Sequence, residues 1–225
     1  MRSFGEILAV AAERKGGRAA IDAALATTPA REPAAIAAQP DDRILAEMTR
    51  RIFNAGFSSK VIEAKWPAFE AAFRGFDPRA CAFMSDDDFG ALTQDRGIVR
   101  NGAKIRAVQI NAKLVLDLAA SHGSAARSFA DWPDSDYVGL LQVLKERGSH
   151  LGGDAGMRFL RAIGKPAFIT SKDVVAALIR EEIIAKTPSG KRDFAAVQRA
   201  FNQWSDESGR NLTEISRVLA MSIGS

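Results

Sequence analysis

The sequence predicts an all-α protein. Three observations predict it. Apolar residues recur at three- and four-residue spacing along almost the whole chain, no alternating apolar–polar run long enough for a strand stands out, and helix start and stop signals follow one another closely. With 47% hydrophobic residues over 225 positions, the chain has enough apolar surface to bury a real core.

Each element follows from local signals. FGEILAVAAERK and RAAIDAALAT read as two helices separated by Gly16-Gly17. TPAREPAAIAAQP carries Pro29, Pro33 and Pro40 and is expected to be an extended connection, because proline fixes φ and lacks an N–H. Asp41-Asp42 can cap ILAEMTRRIFNAG, and Gly56 can close it. Ser58-Ser59 open KVIEAKWPAFEAAFRGF. Asp77-Pro78 is a cap followed by a first-turn proline, and SDDDFGALTQ is a cap followed by an acidic first turn. GIVRNGAKI is a tight turn feeding a long amphipathic helix. SFADW is bounded by Pro133, and DYVGLLQVLKERG is closed by Gly148. KDVVAALIREEIIAK, KRDFAAVQRAFNQWSDESG and RNLTEISRVLAMSIGS complete about a dozen helices, with no repeat of the solenoid kind.

The net charge of +4 is compatible with a polyanionic partner. The lone Cys81 excludes an internal disulfide, fits a reducing cytoplasm and reads as a small buried residue. One cysteine and two histidines, His122 and His150, cannot make a Cys2His2 zinc site, so neither a metal nor another cofactor is expected. No apolar run reaches membrane-spanning length, and the first residues lack a small-residue cleavage site. The expectation is a cytoplasmic chain without membrane attachment.

Residues 148–173 read GSHLGGDAGMRFLRAIGKPAFITSKD. Two helices meet at a glycine turn, so a hairpin is expected over about 141–163. Gly152 and Gly153 can expose the N–H groups of the next helix to a phosphate, and His150 can donate to the same group. A plain helix–helix joint explains the same glycines. Asp173 opens VVAALIREEII, where aspartate is a common cap; Ser171 can take that role instead and leave Asp173 free.

The glycine hairpin, apolar helix, Gly-x-Pro turn, extended bridge and aspartate before a Val-rich helix together resemble the helix-hairpin-helix DNA glycosylase superfamily. In that superfamily the aspartate is catalytic, and Asp173 matches it by order and approximate spacing. Leu151 stands where a first glycine is usual. The middle of the chain is similar to the DNA-3-methyladenine glycosylase I family: Asn54-Ala55-Gly56-Phe57-Ser58, Phe76-Asp77-Pro78, Gly97-Ile98-Val99-Arg100 and Lys104-Ile105 fit its motifs. With VLKERG the likeness covers residues 41 to 164. It departs in four places. Arg51, or Ile52 if one residue is gapped, occupies the position of the family's pocket Glu, Ser59 replaces a Trp, and the zinc ligands are missing. Asp173, in turn, matches a catalytic aspartate of the wider superfamily that this family lacks, so the chain resembles a mosaic of the two patterns.

The resemblance implies two helical lobes with an active-site cleft between them, an N-terminal helical extension over 1–40 and a glycosylase domain over 41–225. It implies a monomer that takes a damaged, 3-methyladenine-like base flipped out of double-stranded DNA and hydrolyses its N-glycosidic bond. Asp173 is then the catalytic carboxylate, Arg51, Asn54 and Phe57 belong to the base pocket or wedge, and Arg100 and Lys104 join His150, Gly152 and Gly153 on phosphates. Phe57 is equally readable as a core residue, and the two cations as a solvated helix start. Superfamily members that nick the strand use a Lys at the position of Ala155, so hydrolysis without strand cleavage is expected. Two other classes compete: a protein of this fold that binds damaged DNA without cutting it, and a helical interaction protein whose glycines are only structural.

Overall fold

Helix caps account for most of the element boundaries in the computed structural model, which describes residues 1–223. The helices are α1 (Phe4–Lys15), α2 (Arg18–Ala26), α3 (Pro33–Ala37), α4 (Asp41–Asn54), α5 (Ser59–Ala72), α6 (Pro78–Ala82) and α7 (Asp86–Gln94). They continue as α8 (Gly102–His122), α9 (Ala125–Asp131), α10 (Tyr137–Arg147), α11 (Asp154–Ala162), α12 (Lys172–Arg180), α13 (Lys191–Ser208) and α14 (Leu212–Met221). No strand occurs among the described residues. Ser3, Ser85 and Asn211 each start a helix with a reciprocal capping box, using Glu6, Asp88 and Glu214. Asp77 caps α6 by accepting from the Ala80 N–H at 2.7 Å, ahead of Pro78 at the first helical position.

The chain separates into two compact units. The first comprises residues 1–31, 133–139 and 164–225, and the second comprises 32–132 and 140–163. The stretch 1–40, expected to be an extension, is therefore divided at residue 31, and its first two helices belong with the C-terminal ones.

In the first unit an aromatic chain runs from Tyr137 through Phe168 and Phe201 to Trp204, with ring centroids 4.6, 4.5 and 5.7 Å apart. The expected extended bridge lies at its centre: Ala167, Phe168 and Ile169 are buried without a sheet to pair with. Side chains of α14 satisfy that backbone instead. Thr213 Oγ1 accepts from the Ala167 N–H at 2.9 Å, and Ser216 Oγ accepts from the Ile169 N–H at 3.1 Å.

In the second unit α8 supplies the central apolar face, burying Ile105, Val108, Ala112 and Val115, and packs against α4, α6 and α9. Phe53, Trp66, Phe69, Phe73 and Phe76 form a ring cluster beside it.

Three expectations change. The proline-bearing connection contains α3, because Pro33 occupies its first position and Ile36 gives it a buried anchor. Asp41 and Asp42 lie in the first turn of α4 and do not cap it: the cap position is Pro40, and Asp41 reaches the start of α9 to accept from the Ala125 N–H at 2.9 Å. The helix read as KDVVAALIREEIIAK stops at Arg180. There Glu181 turns inward to meet Arg2 and Arg180, and Glu182 takes a left-handed φ of 59°.

Candidate nucleic-acid interface

The sequence pointed to residues in both units, and each group has its own local geometry. In the second unit the hairpin joins α10 to α11. Its loop is shaped by one buried amide. Asn111 of α8, fully buried, accepts from the Ser149 N–H at 2.8 Å through Oδ1 and donates to the Ser149 carbonyl at 3.0 Å through Nδ2. Leu151 stands where the resemblance expects a glycine, and it is fully buried as the apolar anchor of the loop. Gly156 lets α11 close over that anchor: a Cβ there would stand 2.2 Å from the Leu151 carbonyl oxygen.

The tip of the loop faces solvent. His150 is exposed, with a φ of 58°, and its Nδ1 lies 3.1 Å from Ser149 Oγ. Gly152 and Gly153 are exposed, and Gly153 takes φ 64° and ψ −132° as the residue before α11, with no side-chain cap. The first N–H groups of a helix have no intrahelical partner, so this end can receive an anion. The stem of the exposed Lys145 lies beside Gly152, its Cγ 3.5 Å from where a Cβ would be. Lys145 adds a cation that sequence reading passed over. The signal was its place one turn before Gly148 on the helix leading into the loop.

The end of α4 carries the pocket or wedge candidates. Glu47, Arg50, Arg51 and Asn54 share one face of the helix, being three and four residues apart. Arg51 is tied to Glu47 at 2.5 Å, so the residue in the place of the family's acid has a carboxylate of its own one turn earlier. Arg50 lies over the Trp66 ring at 4.1 Å and pairs with Glu63 at 3.2 Å. The Asn54 Oδ1 is buried without a hydrogen-bond partner. Phe57 is 41% exposed, which removes it from the core and leaves an aromatic ring at the surface.

The two cations of the GIVRNGAKI turn part company. Arg100 is exposed just before Asn101, which caps α8. Lys104 instead turns inward and is only 9% exposed. Its ammonium donates to the Ile52 carbonyl at 2.9 Å and to the Ala55 carbonyl, at the C-terminal end of α4. Burial pushes its pKa down from the usual lysine range. Neither the phosphate contact nor the solvated helix start open to Lys104 in the sequence matches this interior position, where its charge serves helix carbonyls.

In the first unit Asp173 sits in the first turn of α12, half-buried. Ser171 performs the capping by accepting from the Val174 N–H at 3.4 Å. Among the described residues no hydrogen bond or ion pair engages the Asp173 carboxylate. A carboxylate without a hydrogen-bond or ion-pair partner can stabilise a developing positive charge or receive a proton from water.

A cavity of about 340 Å³ in the second unit is lined by residues that include Phe73, Cys81, Met84 and Leu92, and by none of the candidate site residues. Burial pushes the Cys81 thiol up to about 12, which leaves it unreactive as a nucleophile.

Comparison with known proteins bears on the second unit most directly. Residues 35–138 match the family model described as methyladenine glycosylase. The DNA-3-methyladenine glycosylase 1 of Escherichia coli (strain K12) is 38% identical over 64 residues, which are 28% of this chain and 34% of that protein. The DNA-3-methyladenine glycosylase of Haemophilus influenzae is 37% identical over 62 residues, 28% of this chain and 34% of its own. These matches span about a third of the curated relatives' length. A solved structure of 3-methyladenine DNA glycosylase I from Staphylococcus aureus superposes with a TM-score of 0.50 at 25% identity, covering 56% of this chain and 79% of that one. No helix among the described residues is long and apolar enough to cross a membrane.

Proposed function

We propose, from the likeness of residues 35–138 to the methyladenine glycosylase family, that the chain is a DNA N-glycosylase that releases a damaged, 3-methyladenine-like base from duplex DNA. The observation that carries the reading is the match over residues 35–138, which spans both the Asn54–Ser58 turn and the start of α8. The exposed hairpin loop and the unengaged Asp173 carboxylate support it.

The target base must leave the stack, at an unfavourable few kcal/mol that is smallest for damaged bases. Phe57, exposed on its turn, fills the gap that the base leaves. The hairpin holds the phosphate backbone through the N–H groups after Gly152, with His150 and Lys145 alongside, and without reading sequence. Breaking the C1′–N bond sends its electron pair to the base and leaves positive charge on the sugar. Asp173 stabilises that charge, and water adds at C1′ as its proton passes to the carboxylate. An alkylated purine leaves as a neutral base from a cationic nucleotide, so a single carboxylate suffices. Ala155 offers no amine for a Schiff base, so the sugar–phosphate strand stays intact.

The test is single-turnover base release from a methylated duplex. Wild type releases the altered base and leaves an alkali-labile site, whereas Asp173→Asn slows release by about a hundredfold or more with duplex affinity within twofold. Failure of the wild type to release any altered base from methylated duplexes overturns the catalytic reading. The Arg51–Glu47 pair favours one second reading, a protein that binds the lesion without cutting. Salt-dependent affinity for the damaged duplex with no base release identifies it.

A further inference from the structure

We propose that Lys104 is a positioning residue that fixes the exposed Phe57 ring from beneath, through the carbonyls that end α4 and through the ring itself. The proposal rests on the glycosylase reading for what Phe57 does, and on geometry alone for how Phe57 is held.

The end of a helix leaves carbonyl groups without intrahelical donors, and a cation there is favoured by the helix dipole. In α4 the Lys104 ammonium supplies both needs by donating to the Ile52 and Ala55 carbonyls. The chain then reverses through Gly56, at φ 86°, and the Phe57 N–H returns to the Asn54 carbonyl at 3.4 Å. This brings the Phe57 ring to 4.8 Å from the ammonium, with the Phe53 ring at 5.8 Å. A cation facing an aromatic ring at that distance is attracted to it, more strongly where water is excluded. Lys104 is 9% exposed and Phe57 41%, so the contact joins a dry charge to a ring that still reaches solvent. Without the ammonium, the Gly56–Phe57 turn loses both its carbonyl grip and its ring contact.

The experiment combines NMR with a double-mutant cycle. The Lys104 Hε signals should be displaced upfield by the aromatic rings, and Phe57→Leu should reduce that displacement. In Lys104→Met the Phe57 amide should exchange about tenfold faster or more, while that of Val108, buried in the same unit, holds its rate. Base release should slow about tenfold in Lys104→Met, and less than twofold when Phe57→Leu is already present. Lys104→Gln, which keeps a donor for the carbonyls but no charge for the ring, replaces Lys104→Met should that variant not fold. Undisplaced Hε signals, an unchanged Phe57 amide or equal slowing in both backgrounds overturns the proposal. If the wild type releases no base, the glycosylase reading falls by itself, and the two NMR measurements still decide whether Lys104 holds Phe57.

Discussion

Two glycines of the hairpin carry different constraints, and substitution separates them. Gly156 needs the absence of a Cβ, since an added methyl would meet the Leu151 carbonyl oxygen at 2.2 Å. Gly153 has open space around it, and only its backbone conformation, φ 64° and ψ −132°, resists a side chain. Gly156→Ala should therefore cost about 3 kcal/mol or more by forcing α11 away from its anchor, and Gly153→Ala about 1–2 kcal/mol through strain. Urea denaturation checks both, and equal losses would contradict the distinction. The hairpin itself was legible from glycine spacing, whereas its internal fastening was not. Asn111 lies among the buried residues of α8, and nothing local says that its amide will meet Ser149, 38 residues away. Lys104 was misplaced for a similar reason: a lysine near a helix start ordinarily faces water, and only the distant end of α4 supplies carbonyls to receive it.

At the scale of elements, caps and turn residues gave away starts more readily than ends. Ser85, Asp77 and Ser171 all cap where their side-chain chemistry suggests. The end of α12 was hidden, because REEII continues a good helical pattern and the helix stops only where Glu181 finds Arg2 across the chain. Burial alone would raise the Glu181 pKa, but hydrogen bonds from Arg2 and Arg180 outweigh it and hold the carboxyl below its usual range. A carboxylate whose pKa is depressed by folding stabilises the fold above its unfolded pKa of about 4.3, and that stabilisation is lost as pH falls through the folded value. Glu181→Gln should cost about 2 kcal/mol at neutral pH, with Arg2 partly exposed and so only partly committed. Thermal melts from pH 7 down to 3 should show the wild type losing its advantage over Glu181→Gln in the acid range. A gap that stays constant with pH would show that the charge is not what Glu181 contributes.

For the molecule as a whole, the fold class was legible because helical periodicity is local, while the grouping of helices was not, because it depends on contacts made across the chain. Residues 1–31 and 164–225 fall in one unit although 132 residues separate them. Their shared core makes the C-terminal helices structural rather than an appendage: α14 packs on α1, α2, α12 and α13. Phe201, Trp204, Ile215, Val218 and Leu219 are all fully buried. At about 1.5–3 kcal/mol for each large side chain, those five alone contribute on the order of 10 kcal/mol, comparable to the whole stability of a typical domain. Removing residues 193–225 would also strip Thr213 and Ser216 from the Ala167–Ile169 bridge, exposing backbone groups that α14 now satisfies. Because Ser171 and Asp173 follow directly on that bridge, the truncated chain should lose both cooperative unfolding and base release. Circular dichroism in a urea titration checks the first, and the methylated-duplex assay the second. A truncated chain that unfolds cooperatively at the wild-type midpoint would mean that the first unit does not need the core that α13 and α14 give it.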